Sequence, residues 1–282
     1  MLEAPTAHIT ADGHRVALKW HRARRHSGDM AFSPVRIREG LAAGASVEVD
    51  IHPLACGDWA VLHDATLDRE TTGAGPVAAM TAAGLVALRL RDATGAASDM
   101  SLTSLSRLAL DASQGAVGAG ALLQLDLKVD ADALTPANIA GFAAAVAPLA
   151  PHLILSGGDA RAVLRLAEAA GIAVGFDPCH EGASVDLVVT GRFDAFVASA
   201  LAALPAARMI YLDRHLVALA TKRGADLVAP FRAAGRQVDV YTFRDSGPTE
   251  VAAARMAVAA RVDQITTDDP AGLLEALDQP VP

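Results

Sequence analysis

The sequence predicts a (β/α)8 barrel, and three observations carry that expectation. Short apolar or β-branched runs alternate with alanine-rich stretches from end to end, which is the pattern of βα units around a parallel sheet. Eight such runs can be counted, the number that closes a barrel. The chain has 282 residues, 52% hydrophobic and 20% charged, which suits one barrel of about 250 residues better than two smaller domains.

Taken in order, strands are expected at 16–20, 46–50, 122–128, 153–155, 173–176, 209–212, 238–242 and 264–266. Apolar residues at helical spacing predict helices over 160–170, 216–234 and 250–260. Gly171 and Gly235 follow two of these runs, as helix-ending glycines do. Residues 185–204 open on Val-Asp-Leu-Val-Val, which suits either a strand or a helix start; helix is preferred. The stretch 51–121, between the second and third strands, is longer than a barrel loop needs and reads as a small insertion. It should contain a hairpin turning at Cys56-Gly57-Asp58 and returning over 59–63. No solenoid repeat or linker interrupts the chain, so residues 1–282 read as one domain.

A net charge of −8 argues against a nucleic-acid partner, because phosphate backbones demand clustered Lys and Arg. An anionic substrate must then meet local positive charge, and a bound cation supplies it. Cys56 and Cys179 are the only cysteines and form no metal or disulfide pattern, so they read as buried or idle thiols. The opening residues Met-Leu-Glu-Ala-Pro-Thr-Ala-His lack a basic region followed by an apolar run, and no apolar stretch reaches membrane-span length. The expectation is a cytoplasmic protein without a stable membrane anchor. Nothing in the pattern specifies an oligomeric state.

The chemistry starts from Val-Glu-Val-Asp. Period-two alternation puts Glu48 and Asp50 on one side of a strand and the valines on the other. Two adjacent carboxylates repel unless a positive charge lies between them, and Mg²⁺ or Ca²⁺ is the simple candidate. The plainer reading, a charged face turned to solvent, suits an edge strand better than a barrel strand buried on both sides. Asp126 and Lys128 repeat the spacing in Leu-Asp-Leu-Lys. Asp126 is the candidate third ligand and Lys128 a candidate phosphate contact, the alternative being a mutual salt bridge that fills the barrel. His21 and Arg22 follow the first strand, at the end where barrels place catalytic groups. Imidazole exchanges protons near neutrality, and guanidinium grips phosphate through paired hydrogen bonds. Of the nine histidines, His14, His26, His52, His152, His180 and His215 lack a partner motif and read as surface or structural.

His63 opens the run His63-Asp64-Ala65-Thr66-Leu67-Asp68-Arg69-Glu70-Thr71-Thr72-Gly73-Ala74-Gly75. This run resembles the glycerophosphodiester phosphodiesterase family, whose pattern there is His-Asp, two residues, Leu-Asp-Arg, one residue, Thr, one residue, Gly-x-Gly. His21-Arg22 is similar to that family's His-Arg-Gly, and residues 44–50 to its Gly-Ala-Asp-x-Val/Ile-Glu-x-Asp; the gap from Asp50 to His63 is also the usual one. Leu125-Asp126-Leu127-Lys128 resembles Ile-Glu-x-Lys, Val240-Tyr241-Thr242-Phe243 resembles Val-Trp-Thr-Val, and Ile265-Thr266-Thr267-Asp268-Asp269-Pro270 resembles Ile-x-Thr-Asp-x-Pro. The likeness spans nearly the whole chain. Four departures stand out: Ala23 for a glycine, Ala31 within a segment usually Pro-Glu-Asn-Thr, Asp126 for a glutamate, and Tyr241 for a tryptophan, with Arg244 nearby.

The resemblance implies metal-dependent hydrolysis of glycerophosphodiesters to glycerol 3-phosphate and an alcohol. It casts His21 and His63 as the acid and base, and Glu48, Asp50 and Asp126 as ligands of a divalent cation, Mg²⁺ or Ca²⁺. Arg22, Lys128 and Tyr241 become the substrate contacts. Two other expectations stay open. One is a lysophospholipase D of the venom sphingomyelinase kind, which uses an aspartate as third ligand and forms a cyclic phosphate. The other is a non-catalytic barrel that binds phosphorylated ligands, suggested by Ala23, Ala31 and Asp126.

Overall fold

The computed structural model describes residues 8–179 and 183–278; the opening residues 1–7 and His180 lie outside them. The strands, in chain order, are β1 (His8–Ala11), β2 (His14–Trp20), β3 (Ser46–Pro53), β4 (Trp59–Val61), β5 (Arg89–Arg91), β6 (Ala97–Ser101), β7 (Leu122–Leu127), β8 (Leu153–Gly157), β9 (Ala173–Phe176), β10 (Met209–Asp213), β11 (Gln237–Phe243) and β12 (Gln264–Thr267). Eight of them, β2, β3, β7, β8, β9, β10, β11 and β12, pair in parallel in that order, and β12 pairs back onto β2 to close the barrel. β1 lies antiparallel to β2, and β4 antiparallel to β3.

The predicted strands agree with the observed ones to within three residues at each end, and the differences have physical causes. β3 runs on to Pro53 because β4 pairs with its far end, Pro53 opposite Trp59. β7 stops at Leu127, so Lys128 sits just beyond the strand. The predicted helix over 216–234 is two helices, Arg214–Lys222 and Ala229–Ala233. Gly224 takes φ 74 between them, and the Asp226 carboxylate accepts from Val228 N (2.8 Å) and Ala229 N (2.9 Å) to start the second. Residues 185–204 also divide, into Ala183–Thr190 and Phe193–Ala203, at Gly191 with φ 65.

The insertion after β3 begins with the expected hairpin, its turn held by Leu54 N donating to Asp58 O at 2.8 Å and by Gly57 at φ 89. Its return strand ends at Val61, two residues short of His63. A second hairpin, β5–β6, lies outside the sequence expectation, because Arg-Leu-Arg alternates over only three residues, too few to establish a period. A helix, Leu105–Ser113, then leads back to the barrel.

Alternation along the barrel strands sorts side chains into two environments. Val47, Val49 and Ile51, all 0% exposed, join the main core. Ile154, Met209 and Tyr211 form a separate cluster backed by Leu122 and Ala173. Gly175 has no Cβ because one would lie 2.5 Å from the Tyr211 ring. Parallel register then sets Asp50 beside Asp126 and Asp126 beside Ser156 near the C-terminal ends of β3, β7 and β8.

Candidate active site

A cavity of about 210 Å³ opens at those C-terminal strand ends, and its lining includes all eight residues predicted for the site: His21, Arg22, Glu48, Asp50, His63, Asp126, Lys128 and Tyr241. A wider hollow of about 800 Å³ between β1 and the helices Pro248–Ala259 and Pro270–Asp278 contains none of them.

Glu48, Asp50 and Asp126 each turn a carboxylate oxygen to a common point, all within 4.8 Å of one another. Glu48 is 4% exposed and Asp50 1%. Burial, with repulsion from Asp50 and Asp126, pushes the Glu48 carboxyl well above its ordinary range. Burial acts on Asp50 too, but Lys128 and Arg22 outweigh it and hold that carboxyl below its ordinary value. The Lys128 ammonium lies 2.9 Å from Asp50 and 2.5 Å from Asp126, so the salt bridge weighed for Asp126 and Lys128 does form, shared with Asp50 at the barrel mouth. Arg22 faces Asp50 (Nε to Oδ2, 3.2 Å), and its backbone N–H donates to Glu48 at 2.7 Å. Asp50 Oδ2 is buried and meets Arg22 Nε as an ion pair that lacks good hydrogen-bond geometry. Three clustered hard oxygens, the one on Glu48 repelled by the other two, fit a divalent cation.

The two histidines are held alike. His21 opens a tight turn after β2, and its Nδ1 lies 2.6 Å from Asp268 Oδ1, at the end of β12. Its Nε2 faces the acid cluster, 3.9 Å from Glu48. Burial lowers the His21 pKa, and Asp268 offsets part of that loss. Asp268 also takes Arg24 (2.8 Å) and Arg244 (3.1 Å), and these contacts, His21's foremost, overcome burial and hold its carboxyl well below the usual range. His63 turns its Nδ1 to Asp64 at 2.8 Å, and Arg69 grips both oxygens of Asp64, each at 2.6 Å, lowering its carboxyl to about 2. The backbone carbonyl of His63 accepts from His52 Nε2 at 2.8 Å, and Glu70 accepts from the backbone N–H groups of His63 and Asp64. A carboxylate at Nδ1 keeps the proton there and leaves Nε2 as the proton-exchanging atom.

Tyr241 donates its hydroxyl to Asp177 at 2.8 Å on the cavity wall, and Arg244 lies 62% exposed at the rim. Sequence reasoning passed over Asp268, Asp64, Glu70 and Asp177. Asp64 and Asp268 stood inside quoted motifs and could have been picked out as histidine partners. Asp177 carried no signal at all. Ala23, standing where the related pattern has glycine, sits at φ 60, and Arg22 at φ 50; the turn demands left-handed backbone there.

No protein-family model matches the sequence, and no curated protein matches it. Solved structures do. A glycerophosphoryl diester phosphodiesterase from Parabacteroides distasonis is 19% identical, with TM-score 0.64 over 98% of this chain and 90% of its own. A glycerophosphodiester phosphodiesterase from Thermotoga maritima is 19% identical, with TM-score 0.64 over 93% and 98%. A phosphodiesterase from Oleispira antarctica, solved with the product sn-glycerol-3-phosphate, is 20% identical, with TM-score 0.63 over 93% and 96%. Among the described residues no helix is long and apolar enough to cross a membrane. The chain has the (β/α)8 fold of the glycerophosphodiester phosphodiesterases.

Proposed function

We propose that this protein is a glycerophosphodiester phosphodiesterase that releases glycerol 3-phosphate and an alcohol, acting in the cytoplasm as a single domain. The observation that carries the reading is one cavity lined by two carboxylate-tethered imidazoles and three clustered acids. Glu48, Asp50 and Asp126 would hold Mg²⁺ or Ca²⁺, which would supply Lewis-acid stabilisation of phosphate oxygens. One imidazole takes the proton of a glycerol hydroxyl as its oxygen attacks phosphorus, and the other protonates the departing alcohol oxygen. In the second stage the roles exchange: water is deprotonated, attacks the cyclic phosphate, and the ring oxygen leaves with a proton. Help of this kind is worth about 10²–10⁴-fold per group. Arg22 and Lys128 face the charge on the non-bridging oxygens, and Tyr241 forms part of the wall for the alcohol.

The test is release of glycerol 3-phosphate from a panel of glycerophosphodiesters such as the choline and ethanolamine esters. Turnover should vanish with chelator and return with Mg²⁺ or Ca²⁺. Ligand binding without turnover across the panel would favour the non-catalytic barrel instead.

One observation favours the lysophospholipid reading. Val185, Val188 and Val189 are 66%, 45% and 76% exposed on Ala183–Thr190, the first helix after β9, and this apolar surface, outside the cavity lining, is one on which a lipid chain could rest. Cyclic phosphatidate released from lysophospholipids, in place of glycerol 3-phosphate, would establish that reading.

A further inference from the structure

Below the acid cluster lies a buried polar layer whose bonds have a forced direction. Lys19, 1% exposed, pairs with Asp239 at 3.1 Å, donates to Gln124 Oε1, and sits 4.4 Å from the Tyr211 ring centre. Asp239 is itself fixed by Gln264 Nε2 and Thr266 Oγ1, each at 2.6 Å. An ammonium can only donate, so the Gln124 carbonyl must face Lys19 and its NH₂ must face away. That NH₂ meets Ser156 Oγ at 2.8 Å, and since it too can only donate, the single Ser156 proton is left for Asp126 Oδ1, 2.8 Å away.

We propose that Lys19, Gln124 and Ser156 form a one-way hydrogen-bond relay that positions Asp126 as a cation ligand, an inference resting on the reading of the acid cluster given above. Ser156 is 0% exposed and Gln124 5%, so the chain runs through the barrel interior. The relay engages Oδ1 of Asp126, while Oδ2 faces Lys128, so the two oxygens are held from opposite partners. Aspartate has one methylene fewer than glutamate, so its carboxylate has less reach, and a strap from the strand next door fixes where it points. Lys19, Gln124 and Ser156 are positioning residues; none is asked to touch substrate.

The experiment is calorimetric titration of Mn²⁺ into the full-length protein and into Ser156→Ala, with melting curves of both metal-free proteins. Wild type should bind, and Ser156→Ala should bind about 10–100-fold more weakly while melting within a few degrees of wild type. Lys19→Met should weaken binding in the same direction. Added to Ser156→Ala it should weaken binding little further, because both changes cut one chain. Should Lys19→Met fail to fold, the Ser156 comparison alone decides. Unchanged Mn²⁺ affinity in Ser156→Ala, whatever its melting temperature, would overturn the relay while leaving the active-site reading intact. A wild-type protein that binds no Mn²⁺ would overturn both.

Discussion

His21 and His63 present the same chemistry, an imidazole with Nδ1 on an aspartate, yet the two dyads are built by opposite means. His63 and Asp64 are chain neighbours in the insertion, and the His63 side chain is 35% exposed. His21 and Asp268 stand 247 residues apart and meet only because β12 closes onto β2; the His21 side chain is 12% exposed. The local dyad is fastened by Arg69, 65% exposed, on a carboxylate that is 22% exposed, and the non-local one by half-buried Arg24 and rim-exposed Arg244 on a carboxylate that is 10% exposed. A locally built group can be tuned with little cost to the barrel, whereas the barrel-spanning group ties the geometry of the site to closure of the fold.

The largest effects should be shared by the two dyads. Alanine at His21 or at His63 should lower kcat about 10²–10⁴-fold, measured as glycerol 3-phosphate release, with the circular dichroism spectrum unchanged. Full activity in either variant would remove that histidine from the mechanism. The next pair separates them. Asp268→Asn should lower kcat by up to about 10⁴-fold and also destabilise the fold by about 1–3 kcal/mol, because half-buried Arg24 and His21 lose a charged partner. Asp64→Asn should lower kcat roughly tenfold and cost under about 1 kcal/mol at neutral pH, since its partner Arg69 is well solvated. Equal destabilisation in denaturant titrations would refute the contrast.

The pH dependence sharpens it. Asp64 has a folded pKa of about 2 against an ordinary 3.8, so its stabilising contribution is complete above 3.8 and disappears as pH falls through about 2. Denaturation midpoints of wild type and Asp64→Asn should therefore converge as pH drops through that window; a constant gap would contradict it. The smallest effect concerns the turn after β2. Ala23→Gly relieves left-handed backbone worth about 1–2 kcal/mol but loses a buried methyl worth about 0.8 kcal/mol and adds unfolded-state freedom. The net shift should stay under about 1 kcal/mol, with kcat unaltered.

Much of this was legible before the fold was known, for reasons that differ residue by residue. Glu48 and Asp50 declared themselves through period-two alternation, because a barrel strand offers an acid only an interior or a mouth. The hairpin at Cys56-Gly57-Asp58 was readable from its turn residues. The break at Gly224 was not, because a single glycine within an alanine-rich amphipathic stretch looks tolerable until the Asp226 carboxylate is seen to start a new helix. The β5–β6 hairpin was too short to leave a period.

By itself, the sequence determined the order of strands and helices, the spacing of the acids along β3 and β7, and the His63-Asp64 neighbourhood, since all of these follow from periodicity and adjacency along the chain. Only the tertiary structure decided that Asp268 belongs to His21, that Lys128 is shared between Asp50 and Asp126, and that Lys19 reaches Asp126 through Gln124 and Ser156. Those pairings depend on which strands lie side by side and at what register, and closure of the barrel sets both at once.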